Sequence, residues 1–354
     1  MQIDFHHGVT YVCARLAGFE HREASIVAHC AQYVDDSTQA GLIRFDNGAM
    51  FDRISSAHKM LDYRNFKELA NHQVWIPFHF LPGNGGLPPG QDPPGSFIEK
   101  LICRPNSPVA QAMVAECIDQ RYRSYGLHRL GITLHVFADT WAHQGFAGVS
   151  HEVNNAKELV DGDGNPDQSL MNRLTGFFIG GALPLGHGAV LGNPDQPHLR
   201  WGYTNGRGEK IKRDNPKDFI AAAQEMCRAM QRYRAGQADA PAPGLPAADR
   251  AKIVALFDQL RGDGESRHRQ WLEHIAQGYF SFGPAQVTYI ARGHGSWKQQ
   301  ALQLEAETDR RDPRLPPYSP EFLTSNWKLF HDALRAHHFF ITHDLLPQYG
   351  ICVA

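Results

Sequence analysis

The sequence has no apolar run near the roughly 18 residues that a membrane-spanning helix needs, and no CxxC pair among its six cysteines, Cys13, Cys30, Cys103, Cys117, Cys227 and Cys352. The first absence excludes a helical membrane protein, so no transmembrane segment is expected. The second excludes a thiolate zinc ribbon and a disulfide-dense scaffold. It reads as reduced, mostly buried thiols in a cytoplasmic product, although a leaderless exported toxin has the same pattern. Neither sign of charge is in excess, with 35 Lys and Arg against 37 Asp and Glu. No global field therefore favours nucleic acid as a stable partner or an anionic membrane. The start, MQIDFHHGVT, carries an acid and two histidines where a secretory signal has basic and then apolar residues. Walker A, strand-linked GxGxxG and GxSxG motifs are missing. The 42% hydrophobic content suffices for a sizeable core and excludes disorder of the whole chain.

Helical patterning dominates what is present. Apolar residues recur at helical spacing over residues 8–33, with a break near Gly18, and over 107–125, where Ser107-Pro108 reads as an N-cap and first-turn proline. That helix is expected to run on past Gly126 and Gly131 to about Gln144. Residues 216–235, 247–277 and 320–346 are further amphipathic helices, and alternating strands are scarce. The expected fold class is all-α, a multi-helix bundle with long functional loops. Residues 1–235 are expected to form a metal-binding helical core and 236–247 (GQADAPAPGLPA) a linker or surface loop. Residues 248–354 are expected to be C-terminal helices packed on that core. Residues 82–96 and 181–200 are loops by their Gly and Pro content, and the second carries His187 and Asp195.

Histidine is the outlier, at 20 residues, and imidazole is both the commonest metal ligand and the usual acid/base near neutrality. In LHVFADTWAHQGFAG, His135, Asp139 and His143 fall at i, i+4 and i+8 on one helix face. Such a face makes a poor core surface and a good metal platform, because two ligands four residues apart can grip one ion. His128 lies on the same stripe but reads as an ordinary packing histidine. In IDFHHGVTYV the candidates are Asp4 and His6, then His7, since adjacent histidines point different ways. Asp35 and Asp36 end a helix, where paired acids oppose the helix dipole and a dication compensates; one of the two is expected to serve. His58 and His79 are single histidines in apolar contexts. His187 and Asp195 sit on a loop stiffened by prolines, with His198 nearby, and His151, Glu152 and Asn154 form a weaker rival. His337, His338 and His343 read as surface or packing residues, and the GDGNPD run at 162–167 reads as a turn, because it lacks calcium-loop spacing. Trp141, Phe146, Trp201 and Tyr203 are candidates to line the mouth of the site.

A His/Asp-rich N-terminus, an Asp after the first helix, an HxxxDxxxH helix and a later His…Asp pair together resemble the zinc-dependent phospholipase C / P1 nuclease superfamily. The nearest likeness is to a leaderless bacterial branch that begins near DFHH and carries a DTWAHQ-F-G segment. The resemblance covers residues 1–205 and implies a helical bundle with three zinc ions that hydrolyse phosphate esters. It implies one ion on Asp36, His58, His135 and Asp139, a second on His143, His187 and Asp195, and a third drawing on Asp4, His6 and a shared Asp139. It also raises His58 above an ordinary core histidine. Two departures stand out. The secreted enzymes bind zinc through a mature N-terminal tryptophan that is lacking here, and their helix spaces its second histidine further from the Asp.

These readings give a metal-dependent hydrolase of phosphate esters, with two or three Zn2+ ions and Mn2+ or Fe as alternatives. Its substrate would be a phospholipid or nucleotide phosphodiester, and Asp35 or Asp36 would orient the attacking water. The alternatives are a non-catalytic metal-stabilised binding protein, a leaderless effector, and an HD-type nucleotide phosphohydrolase using His331-Asp332 or His343-Asp344.

Overall fold

A computed structural model describes residues 1–57, 68–166, 185–304 and 315–353. His58 lies outside the described residues. The chain opens with a π-helical turn, Asp4–Val9, which runs into α1 (Thr10–Leu16) and then α2 (His21–Asp36). A hairpin of β1 (Gly41–Arg44) and β2 (Met50–Arg53) follows, then α3 (Glu68–Phe78), the short α4 (Ile98–Leu101), α5 (Pro108–Asp119) and α6 (Gly126–Ala142). A second sheet in the order β3-β4-β5 is built from Ala156–Asp161, Arg200–Asn205 and Lys210–Asp214. The rest is helical: α7 (Asn215–Ala235), α8 (Ala247–Gln259), α9 (Gly264–Ala276), α10 (Trp297–Leu302) and α11 (Asn326–Phe339).

The expected all-α class is therefore corrected: the fold is helix-rich but mixed, with two small antiparallel sheets. Both β1-β2 and β4-β5 turn on Asn-Gly pairs, Asn47-Gly48 and Asn205-Gly206, a short-range hairpin signal that the helical periodicity outweighed. Two expected helices are also split. The 107–144 span breaks between Asp119 and Gly126, and the 247–277 span breaks at Gly262, whose φ is +95°. Residues 236–247 return along α7: Gln231 and Gln224 hydrogen-bond the backbone of Gly244 and Leu245, and Leu245 is buried.

One core joins both ends of the chain, from Phe5 and Val12 through Val136 and Phe219 to Trp271, Ile341 and Leu345. A second cluster, with Phe45, Phe78, Trp327 and Phe330, packs the β1-β2 hairpin against α11. A third, with Phe80, Phe146, Trp201 and Tyr203, lies beneath the three-stranded sheet. Trp141, Phe146, Trp201 and Tyr203 are all buried, and Tyr203 stacks on both Phe146 and Trp201. They fill the interior and do not line a mouth, which corrects that expectation.

The contact that positions the site is α2 against α6. Their approach depends on Gly131, where a Cβ would sit 2.4 Å from the Val27 carbonyl oxygen and 2.5 Å from Cys30 Cβ. Helix propensity alone favours Gly131→Ala by roughly 1 kcal/mol. The backbone clash costs more, about 1–3 kcal/mol for overpacking. Gly131→Ala should therefore lower the thermal midpoint; an unchanged or raised midpoint would show that the two helices can separate without loss.

Candidate metal centre

Four segments converge on the buried face of α6. His135 and Asp139 lie on that helix and His143 is its C-cap; all three are buried. α2 brings Asp35, the turn after α3 brings His79, the N-terminal π-turn brings His6, and the 187–195 loop brings His187 and Asp195. Among the described residues, three sets of ligand-type atoms are close enough to share an ion: His6, Asp35 and His135; His79, His135 and Asp139; and His143, His187 and Asp195.

Local folding explains each placement. On α2 the Val27 carbonyl, Cys30 and Ala31 meet α6 at Gly131, and Asp35 lies one turn beyond Ala31. Asp36 lies one turn beyond Gln32, and its carboxylate accepts hydrogen bonds from Tyr289 Oη at 2.6 Å and Gln32 Nε2 at 3.2 Å. The π-turn separates His6 from His7. His6 stacks on His135 with ring centroids 3.8 Å apart, whereas His7 Nδ1 lies 2.8 Å from His268 Nε2. Such single π-turns recur at functional sites. Asp4 also turns away, its Oδ2 accepting from Arg267 Nε at 2.6 Å while Arg267 Nη2 donates to Gln2 Oε1 at 2.6 Å. Arg213 of β5 donates to the carbonyls of Trp141 and Ala142, both at 3.0 Å, and so caps the end of α6 that carries His143.

The histidines share one arrangement. In each of four rings one nitrogen faces a backbone carbonyl: His135 Nδ1 to Ala31 at 2.7 Å, His143 Nδ1 to His79 at 2.8 Å, His187 Nδ1 to Leu191 at 2.7 Å, and His79 Nε2 to Ser56 at 2.8 Å. The other nitrogen points at carboxylates. His135 Nε2 is 3.3 Å from Asp139 Oδ2, His143 Nε2 3.3 Å from Asp195 Oδ1, His187 Nε2 3.5 Å from Asp195 Oδ2, and His79 Nδ1 3.6 Å from Asp139 Oδ2. A carbonyl behind the ring fixes the tautomer and leaves the front nitrogen as a lone-pair donor, the outer arrangement of metal-bound histidine. The Leu191 carbonyl is aimed at His187 by a backbone with φ +52° and ψ −130°, a conformation leucine rarely adopts. His6 Nε2 lies 3.2 Å from Asp139 Oδ1, yet among the described residues neither of its ring nitrogens makes a hydrogen bond, and Asp195 Oδ1 is likewise unsatisfied. Buried polar atoms that approach without bonding fit ligands arranged around a cation.

The Met1 amino group joins this centre, 2.5 Å from Asp139 Oδ1 and 3.2 Å from Asp195 Oδ1. Burial works against its charge, but Asp139, Asp195 and Asp35 outweigh it and push its pKa up to about 11. Burial alone would raise the Asp139 carboxyl; His143, the amino group, His135 and His6 together hold it well below the usual carboxylate range. Asp195 is held low as well, against burial, by the amino group and His187. Burial and the neighbouring His135 push His6 far down, and burial brings His187 to about 4. For His6 and His187, facing Asp139 and Asp195, a neutral imidazole and an ionised carboxylate are the protonation states that metal ligands require, while burial pushes the Asp35 carboxyl up. Only Asp35, with its side chain about one-third (34%) exposed, and to a lesser degree His187 and Asp195 open towards solvent.

Of the expected ligands, the structure brings together His6, His135, Asp139, His143, His187 and Asp195. It turns Asp4, His7 and Asp36 elsewhere, for the reasons given. Asp35 and His79 enter instead, along with the Met1 amine, which residue type alone could not reveal. His128 bonds Asn326, His337 faces the Pro77 carbonyl, and His151 and Asn154 organise the 147–154 turn. His331 is buried against Trp327 and, with Asp332, His343 and Asp344, joins none of the three sets.

Residues 1–345 match the family described as DUF6765, a family of unknown function, and the chain belongs to it. No curated protein and no solved structure matches the chain.

Away from the centre, burial lowers His29 and His331 to about 3 and His128 to about 4. The unfolded chain takes up these protons near pH 6.5, whereas the folded chain refuses them until about pH 4. Between those limits the unfolded state binds more protons, so stability rises with pH by about 1.4 kcal/mol per unit for each such histidine. The denaturant midpoint of the metal-free protein should therefore fall between pH 7 and pH 5; a flat profile would contradict the buried neutral assignment.

Proposed function

We propose that this protein is a metal-dependent hydrolase of phosphate esters that uses two divalent cations, with zinc as the first choice. The observation that carries the reading is the set of histidines backed by carbonyls and fronted by carboxylates. Nitrogen and oxygen donors in this mixture suit zinc, with manganese or iron as alternatives.

The donor atoms favour two ions over three. His135 has its Nδ1 committed to Ala31, so its single free nitrogen is shared between the His6/Asp35 set and the His79/Asp139 set. Those five residues would then hold one ion, and His143, His187 and Asp195 would hold the other. A bound pair of divalent cations supplies a water of lowered pKa and positive charge for the oxygens of a phosphodiester. Besides its share in the first set, Asp35 would orient that water and accept its proton, because it combines cluster membership with substantial exposure. Asp36, committed to Tyr289 and Gln32, is not read as the base. The resemblance to the phospholipase C / P1 nuclease superfamily supports a lipid head-group or nucleotide diester as substrate.

The test uses bis-nitrophenyl phosphate with the zinc-loaded protein. Chelator should abolish turnover, and Asp35→Asn should cost on the order of 100-fold in rate, the lower range for a lost general base. Asp139→Ala should remove metal and lower thermal stability, because bound ions add their binding free energy to the folded state. A fully metallated protein with no turnover on this diester, phospholipid or single-stranded nucleic acid would replace the hydrolase by a metal-stabilised binding protein.

A further inference from the structure

Asp35 is the most weakly held member of the centre. Among the described residues its contacts are His79 Nδ1 and His135 Nε2, each 3.8 Å from Oδ1, too long for hydrogen bonds. It stands at the end of α2, beside a second acid, where the helix dipole repels both. Something other than the site must fix this turn.

The loop that follows α9 does so. Tyr289 donates its hydroxyl hydrogen to Asp36 Oδ2 at 2.6 Å, the shortest contact that Asp36 makes among the described residues. Its ring lies 5.2 Å from that of His7 and 4.7 Å from that of His29, so it is wedged between the π-turn and α2. Three residues on, Arg292 Nη2 donates to the Asp36 carbonyl at 3.1 Å and to Thr38 Oγ1 at 3.2 Å. One loop thus grips the side chain and the carbonyl of the residue after Asp35. A cationic guanidinium on this carbonyl also offsets the negative end of the helix.

We infer that Tyr289 is a positioning residue for the metal centre: by fixing Asp36 it sets the last turn of α2 and aims Asp35 at the ion shared with His6 and His135. The inference rests on the metal reading above and assigns a role in that centre to the loop after α9. Among the described residues Tyr289 hydrogen-bonds Asp36 and no proposed ligand, so its effect runs through one peptide unit.

The test is Zn2+ titrated against a chromophoric chelator with wild type, Tyr289→Phe, Asp35→Asn and the double variant. The constant that weakens in Asp35→Asn identifies the ion bound by Asp35. In Tyr289→Phe that constant should weaken about tenfold, the lower range for a residue supporting a ligand. The ion at His143, His187 and Asp195 should be unaffected. In the Asp35→Asn background, Tyr289→Phe should change nothing further. A general loss of packing would weaken both ions alike and persist in the double variant, and either result overturns the inference, as does an unchanged Tyr289→Phe. Wild type that binds no Zn2+ overturns the metal reading and this inference together. Tight binding without diester turnover removes the hydrolase alone.

Discussion

Asp139 is the constraint on which the rest depends. Its carboxylate is 1% exposed, and an isolated buried charge is expensive enough to be neutralised or expelled. This one lies against the Met1 amine and the rings of His6, His79, His135 and His143, which come from three parts of the chain. The arrangement pairs one carboxylate with the Met1 amine, while Asp35 and Asp195 face the same space. Buried carboxylates and imidazoles gathered in this way could hold a metal ion.

Everything outside the ligands serves to hold that cluster still. The close approach of α2 and α6 at Gly131 presents the Ala31 carbonyl to His135 and sets Asp35 one turn further along. Arg213 caps α6 below His143. Arg267, buried with Asp4 and Gln2, and Trp271, whose Cβ would meet a Cβ at Gly8 at 3.1 Å, pin the π-turn that delivers His6. Because α9 supplies both, and because the main core runs from Phe5 to Ile341, the C-terminal helices are part of the same packed unit as the ligands.

The centre was partly legible in the sequence. The HxxxDxxxH spacing on α6 and the later His187 and Asp195 could be read because helix periodicity and loop stiffness are local properties. Asp35 over Asp36 could have been read too, since Ala24, Ala28 and Ala31 mark the buried face of α2 that Asp35 extends. His79 could not, because nothing near it says that its ring meets His135, fifty-six residues later. His7 and Asp4 attract notice by composition, but their partners, His268 and Arg267, lie far along the chain. The sheets were missed because four- to six-residue strands flanking Asn-Gly turns carry little weight against long helical runs.

The most direct measurement is anomalous scattering at the zinc edge from crystals of the zinc-loaded protein. The account predicts two peaks. One lies among His6, Asp35, His79, His135 and Asp139, and the other among His143, His187 and Asp195. No peak at either position, with Asp139 contacting only the histidines and the Met1 amine, would contradict it.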